Sequence, residues 1–269
     1  MHPYLDTDLP IAFAHRGGAS DEPENTLASF QHAVSLGYRY LETDAHVTRD
    51  GTVVAFHDDV LDRVTDRIGA IHDLPLAEVR AADAAFSFST DGGATFPHRG
   101  SGHRIPLLSE VLESWPDVRV NIDAKSDAVV VPLSLLLKRM GALDRVCVGS
   151  FSDARVTRVR RLCGAALCSS MGPAAVATAR LASWTTGRMP GLGADCLQIP
   201  ASTAGGRVPL ADASLIRAAH RGGLQVHVWT IDEEAQMASL LDAGVDGLMT
   251  DRPEVLRALL VRRGSWHGG

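Results

Sequence analysis

Eight short apolar runs, each separated from the next by a longer stretch, most of them patterned for a helix, recur almost to the end of this 269-residue chain. The runs are Ile11–Ala14, Tyr40–Val47, Arg119–Asp123, Arg145–Gly149, Ala165–Ser169, Cys196–Ile199, Gln225–Trp229 and Gly247–Thr250. Helical spacing appears in Thr26–Leu36, Leu107–Glu113, Ala128–Met140, Asp153–Leu162, Ala211–His220, Glu233–Leu241 and Pro253–Leu260, the last with proline at a suitable first position. Strands that alternate with helices predict a parallel sheet, because parallel neighbours need a crossover long enough to hold a helix. An open doubly wound sheet would satisfy that pattern too. Eight repeats in a chain of this length favour closure, so the expected fold is α/β, a (β/α)8 TIM barrel forming a single catalytic domain over residues 1–269.

Two places break the rhythm. After Val47 a Thr-Arg-Asp-Gly turn signal leads into a second β-like run, Thr52–Phe56, which reads as a hairpin extending the second barrel strand and delivering His57 and Asp58. Residues 59–105 then form a connection too long for an ordinary βα loop. They are expected to be a small insertion after the second barrel strand, lying over the barrel mouth.

Composition narrows the function classes. The chain is 45% hydrophobic and 22% charged, enough for a large core, and its net charge of −6 comes without any Lys/Arg-rich run. Nucleic acid is therefore not an expected partner. The first ten residues hold acids and no apolar run, and no stretch reaches the roughly 20 apolar residues of a membrane span. Cys147, Cys163, Cys168 and Cys196 lack CxxC spacing and sit in or beside apolar runs, as small buried hydrophobes in a reducing compartment do. A cytoplasmic location is expected, and the oligomeric state stays open.

Barrel enzymes carry their chemistry at the C-terminal ends of the strands. The first strand ends in His15-Arg16-Gly17-Gly18, where an arginine fork and backbone free of side chains suit an anion. In the second strand the two-residue period puts Glu42, Asp44 and His46 on one face and Leu41, Thr43, Ala45 and Val47 on the other. The apolar set must meet the helices, so both carboxylates point inward. Buried side by side they call for a hard divalent cation, or for neutralisation by Arg16 or Lys125. The third strand ends Asn121-Ile122-Asp123-Ala124-Lys125, which adds a third acid and a cation to the same cavity. A purely structural Asp123–Lys125 pair is the alternative. Trp229, inward at the rim of the seventh strand, reads as core or as a wall of the substrate pocket.

Together these residues resemble the glycerophosphodiester phosphodiesterase family. The matching motifs run in the family's order: His15-Arg16-Gly17, Pro23-Glu24-Asn25-Thr26, Glu42-Thr43-Asp44, Asp50-Gly51 with Phe56-His57-Asp58, Asn121-Ile122-Asp123-Ala124-Lys125, Val228-Trp229-Thr230, and Asp246-Gly247 with Thr250-Asp251 and Pro253. The resemblance implies metal-dependent hydrolysis of a small-molecule glycerophosphodiester to sn-glycerol 3-phosphate and an alcohol. His15 and His57 would be the acid–base pair, Arg16 and Lys125 would bind the phosphate, and Glu24 and Asn25 would support that loop. Glu42, Asp44 and Asp123 would hold Ca²⁺ or Mg²⁺. One departure stands out, since the family commonly has Glu where this chain has Asp123. A related barrel group, the sphingomyelinase D-like enzymes, shares a two-histidine set, so cleavage of a lipid with release of a cyclic phosphate, as by a lysophospholipase D, is the second expectation. For that, an apolar rim containing Phe86 and Phe88 would be the sign. A non-catalytic barrel that merely binds phosphate esters is a third.

Overall fold

All eight expected runs become strands of one parallel sheet in the computed structural model, which describes residues 2–203, 206 and 208–268. In chain order the strands are β1 (Ile11–Ala14), β2 (Tyr40–Val47), β3 (Val53–Ala55), β4 (Arg119–Ala124), β5 (Val146–Gly149), β6 (Cys168–Ser169), β7 (Cys196–Pro200), β8 (Ser202–Thr203), β9 (Val208–Pro209), β10 (Gln225–Trp229) and β11 (Gly247–Thr250). The sheet runs β6-β5-β4-β2-β1-β11-β10-β7, and a parallel bridge between Ser170 and Cys196 joins its two ends into a barrel. Closure removes the free edges that an open sheet would leave.

The helices are α1 (Leu27–Ser35), α2 (Leu76–Arg80), α3 (Leu108–Ser114), α4 (Val130–Arg139), α5 (Asp153–Cys163), α6 (Pro173–Thr185), α7 (Ala213–Arg221), α8 (Glu234–Asp242) and α9 (Pro253–Arg262). Thr26 and Ser29 cap α1 reciprocally, each hydroxyl accepting the other's backbone N–H at 3.2 Å. Helix α6 is an element the apolar periodicity did not announce, because small residues dominate Ala174–Ala182 and leave no clear stripe. The run 165–169 yields only a two-residue strand, its first part being drawn into a 3₁₀ turn at Gly164–Ala166.

Apolar packing splits into an outer layer between strands and helices and an inner plug. Ile122, Val146 and Val148 meet Leu133, Leu137 and Val159 on one side, and Leu197, Val226 and Leu248 meet Leu215, Met237 and Leu256 on the other. Inside, Tyr4, Phe13, Tyr40 and Met249 fill the N-terminal half of the barrel. The other half is left to polar side chains.

The hairpin after β2 is present, with Ala45 opposite Ala55 and a turn at Gly51, whose φ is +84°. Segment 59–105 packs Leu61, Ile71, Val79 and Ile105 onto Val54 and Phe56 of that hairpin. None of its described residues lines the main cavity.

Candidate active site

The strand ends deliver their ionisable groups into one cavity of about 430 Å³ at the C-terminal mouth. His15, Arg16, Glu42, Asp44, His57, Asp123, Lys125 and Trp229 all line it, and Asn121 and Gln198, hydrogen-bonded at 2.7 Å, form its floor. Glu24 and Asn25 stand behind this lining.

The loop after β1 turns sharply. Arg16 has φ 51° and Gly17 φ 85°, and a Cβ on Gly17 would lie 2.4 Å from Ser29 Oγ. An L side chain at position 17 would meet both strain and a collision. This turn aims His15 and Arg16 into the mouth. Asn25, itself at φ 55°, locks the arrangement: its N–H donates to Arg16 O, its Nδ2 donates to Asp44 Oδ2 at 3.0 Å, and Thr43 Oγ1 donates to its Oδ1.

Both histidines are oriented the same way. His15 Nδ1 donates to Asp251 Oδ1 at 2.7 Å, and His57 Nδ1 donates to Asp58 Oδ1 at 2.5 Å. A carboxylate on Nδ1 fixes the tautomer and leaves Nε2 for chemistry. His15 Nε2 lies 3.7 Å from Glu42 Oε2. Burial opposes the charged form of His15, but Glu42 and then Asp251 outweigh it and raise its pKa above 6.5. Asp58 is tied in turn to Arg63, whose guanidinium also forks onto Glu24 at 2.6 and 2.9 Å. Segment 59–105 thus touches the site through Arg63.

The acids are unequal. Asp44, 2% exposed, receives Lys125 Nζ at 2.7 Å and has Arg16 Nε 3.3 Å away, off the line of a hydrogen bond. These cations outweigh its burial and hold its pKa below the ordinary value. Lys125 also bonds Asp123 at 2.7 Å, so it bridges the two aspartates, as one of the alternatives read from the sequence anticipates. Asp123 nevertheless stays above its ordinary pKa, burial being the larger influence. Glu42, 4% exposed, accepts only the Arg16 backbone N–H at 3.2 Å among the described hydrogen bonds. Burial and then Asp44 push it up to about 7. It is the acid whose charge the protein leaves least compensated.

The orienting pair Asp58 and Asp251, and the clamp Arg63, were not singled out for a role by the sequence reading. The first two lie inside the quoted motifs, next to His57 and at the end of the last strand, and that adjacency was a usable signal. Arg63 left none. His46, inward on β2 as expected, donates to the backbone carbonyl of His57 at 3.1 Å and lies outside the cavity lining. Phe86 and Phe88 lie away from the cavity, engaged with Arg99 and His98. The apolar wall is made instead by Phe151, Met171, Pro173, Val176, Leu210 and Trp229.

Comparison with known proteins gives the family and the fold. The model of the glycerophosphoryl diester phosphodiesterase family matches residues 15–255. A probable glycerophosphodiester phosphodiesterase 2 of Mycobacterium tuberculosis is 39% identical over 96% of this chain and 93% of its own length. A human lysophospholipase D is 30% identical over 92% of this chain and 85% of its own. Among solved structures, an Oleispira antarctica phosphodiesterase in complex with the product sn-glycerol-3-phosphate superposes with a TM-score of 0.75 at 25% identity, covering 94% of this chain and 97% of that one. With the family model matching most of its length and a 39% identical relative, the chain belongs to the glycerophosphoryl diester phosphodiesterase family.

Proposed function

We propose that this enzyme hydrolyses glycerophosphodiesters to sn-glycerol 3-phosphate and an alcohol, with His15 and His57 as its acid–base pair. The observation that carries the reading is the pair of histidines on one cavity, each held at Nδ1 by an aspartate, beside Arg16 and Lys125. A phosphodiester monoanion resists attack until its charge is met by cations. Arg16 and Lys125 present that charge, already positioned by Glu24, Asp44 and Asp123. One imidazole takes the proton of the attacking water as its oxygen bonds to phosphorus. The other gives a proton to the departing alkoxide oxygen as the P–O bond breaks, which leaves the pair one proton exchange from its starting state.

The residues also fit a divalent metal. Glu42, Asp44 and Asp123 are an all-oxygen donor set of the kind hard cations take, and Glu42 is buried without a side-chain donor to balance it. These three would hold Ca²⁺ or Mg²⁺, which supplies further neutralisation of the phosphate oxygens when bound. Lys125 would then have to give up part of its bridge between Asp44 and Asp123. Segment 59–105 serves, on this reading, as a buttress that fixes His57 through Arg63 and Asp58.

The apolar wall favours a second reading, cleavage of a lysophospholipid, in which Phe151, Trp229 and their neighbours would take the acyl portion. One experiment tests both. Glycerophosphocholine, glycerophosphoethanolamine and lysophosphatidylcholine are assayed side by side, after chelation and with Ca²⁺ or Mg²⁺ restored, for the parent, His15→Ala and His57→Ala. The proposal expects turnover of the glycerophosphodiesters, lost on chelation and reduced about 10²–10⁴-fold by either substitution. A nitrophenyl leaving group should rescue only the variant lacking the acid. Near-parental turnover in either folded variant refutes the two-histidine mechanism, and exclusive turnover of lysophosphatidylcholine selects the second reading.

A further inference from the structure

One layer below the cavity floor lie three cysteines that the reaction does not use. Cys147, Cys168 and Cys196 each stand two residues before a floor or wall residue, Gly149, Ser170 and Gln198, so the strand period turns them inward toward the N-terminal half of the barrel. Cys147 pairs with Cys168 in register and Ser170 bridges to Cys196, which brings three separate strands to one point. Their three Sγ atoms all lie within 4.8 Å of one another, and all three residues are 0% exposed.

Two further polar atoms at this place have no hydrogen-bond partner among the described residues. His227, also 0% exposed, donates from Nε2 to Gln225 Oε1 at 3.1 Å, which leaves its Nδ1 a buried lone pair without a hydrogen bond. Its ring adjoins Cys196. The hydroxyl of Tyr4, which packs in the same cluster as the three thiols, is likewise buried and unpartnered. Buried polar groups are seldom left so, and each calls for an explanation. Mere filling of the core by small apolar side chains accounts for the cysteines. The Cys196 S–H is placed to serve the imidazole, but nothing among the described residues serves the Tyr4 hydroxyl beside them.

We propose that Cys147, Cys168 and Cys196 form a binding site for a single soft d¹⁰ cation, of the Zn²⁺, Cd²⁺ or Cu⁺ class, with His227 Nδ1, which lies outside the 4.8 Å sulfur group and has to move in, as the fourth donor. Thiolate and imidazole are the ligands such ions prefer over carboxylate. Zinc–sulfur bonds of about 2.3 Å at a tetrahedral centre set the sulfurs about 3.8 Å apart, so the trio must draw in by up to about 1 Å. On binding, each thiol releases its proton to solvent. Gln225 then acts as the outer partner that holds the His227 tautomer. The site is chemically distinct from the oxygen donors Glu42, Asp44 and Asp123 above the floor.

The test uses the full chain, reduced with a phosphine, unfolded and refolded with Cd²⁺ because the folded thiols are closed to solvent. The expected result is one thiolate-bound Cd²⁺ per chain after desalting, beside any ion held by the carboxylates, with an ultraviolet cadmium–thiolate charge-transfer band whose final intensity corresponds to one ion per chain. Cys168→Ala should lose the band and Glu42→Gln should keep it. Should Cys168→Ala fail to fold, the ¹¹³Cd resonance of the parent still decides, since a sulfur-rich shell shifts it far from an oxygen shell. Refolded parent without the band or the bound ion overturns the proposal, as does a band that survives Cys168→Ala or a parent mass two hydrogens light, which marks a disulfide.

Discussion

Replacing Asp251 by Asn separates the orientation of His15 from its mere presence. The carboxylate accepts the His15 Nδ1 proton at 2.7 Å, while the backbone of residue 251 is held independently, its N–H by Asp232 and its carbonyl by the Ser20 hydroxyl. The fold should therefore survive. Asn can still accept a hydrogen bond, but it can also offer an N–H donor and select the wrong tautomer, and it carries no charge to support an imidazolium. Outer partners of functional histidines are typically worth about 10–100-fold. That corresponds to about 1.4–2.7 kcal/mol of barrier.

A pH profile then distinguishes orientation from structure. The His15 pKa lies above 6.5 because Glu42 and Asp251 outweigh burial, so losing Asp251 lowers it. Whichever limb of the kcat/KM profile reports His15 should move toward acid pH. The linkage sign is the same for stability. A group with a raised folded pKa contributes stability that is full below its unfolded value, about 6.5, and is lost as pH rises through the folded value. The variant should thus be less stable than the parent near pH 5.5 and nearly equal to it well above the folded pKa. Steady-state kinetics on glycerophosphocholine and thermal melts across pH provide both readings. Parental kcat with an unmoved limb would refute the argument that this carboxylate governs His15.

Other substitutions probe other parts of the chain. Asp123→Glu should retain substantial activity and Asp123→Ala should weaken metal affinity, measured by calorimetric titration. Unchanged affinity in the alanine variant would make Asp123 a structural partner of Lys125 only. Asp212→Ala removes the α7 cap, which accepts the Ser214 and Leu215 N–H groups, and strips the buried Arg180 of its carboxylate. The cap alone is worth about 1 kcal/mol, and the loss of a charged hydrogen bond from Arg180, which keeps the Pro209 carbonyl and the Trp184 ring, raises the total to roughly 2–3 kcal/mol, readable as a lower denaturation midpoint. Arg180 holds the Asp212 pKa below 3.8, so the parent's advantage is present above that pH and disappears as pH falls through the folded value.

The barrel was legible in the sequence because its cause is local. Each of the eight runs is short, apolar and bounded by turn residues, and periodicity of two or of about 3.6 follows directly from strand and helix geometry. Glu42 and Asp44 were readable as inward for the same reason, since Leu41 and Val47 had to face the helices. Helix α6 escaped because alanines carry no amphipathic stripe. Partnerships between distant positions were beyond reach. Asp251 meets His15 across 236 residues, and Arg63 meets Glu24 across 39, while Lys125, readable as a partner of Asp123, bridges to Asp44 as well only once β2 and β4 lie side by side. The cysteines show the limit most clearly. Their spacings of 21 and 28 residues carry no metal signature in sequence, yet barrel closure sets β6 beside both β5 and β7 and collects three sulfurs at one depth. Chain-local hydrophobicity decides which residues are inside, whereas strand order and register, set by closing the sheet, decide which of them meet.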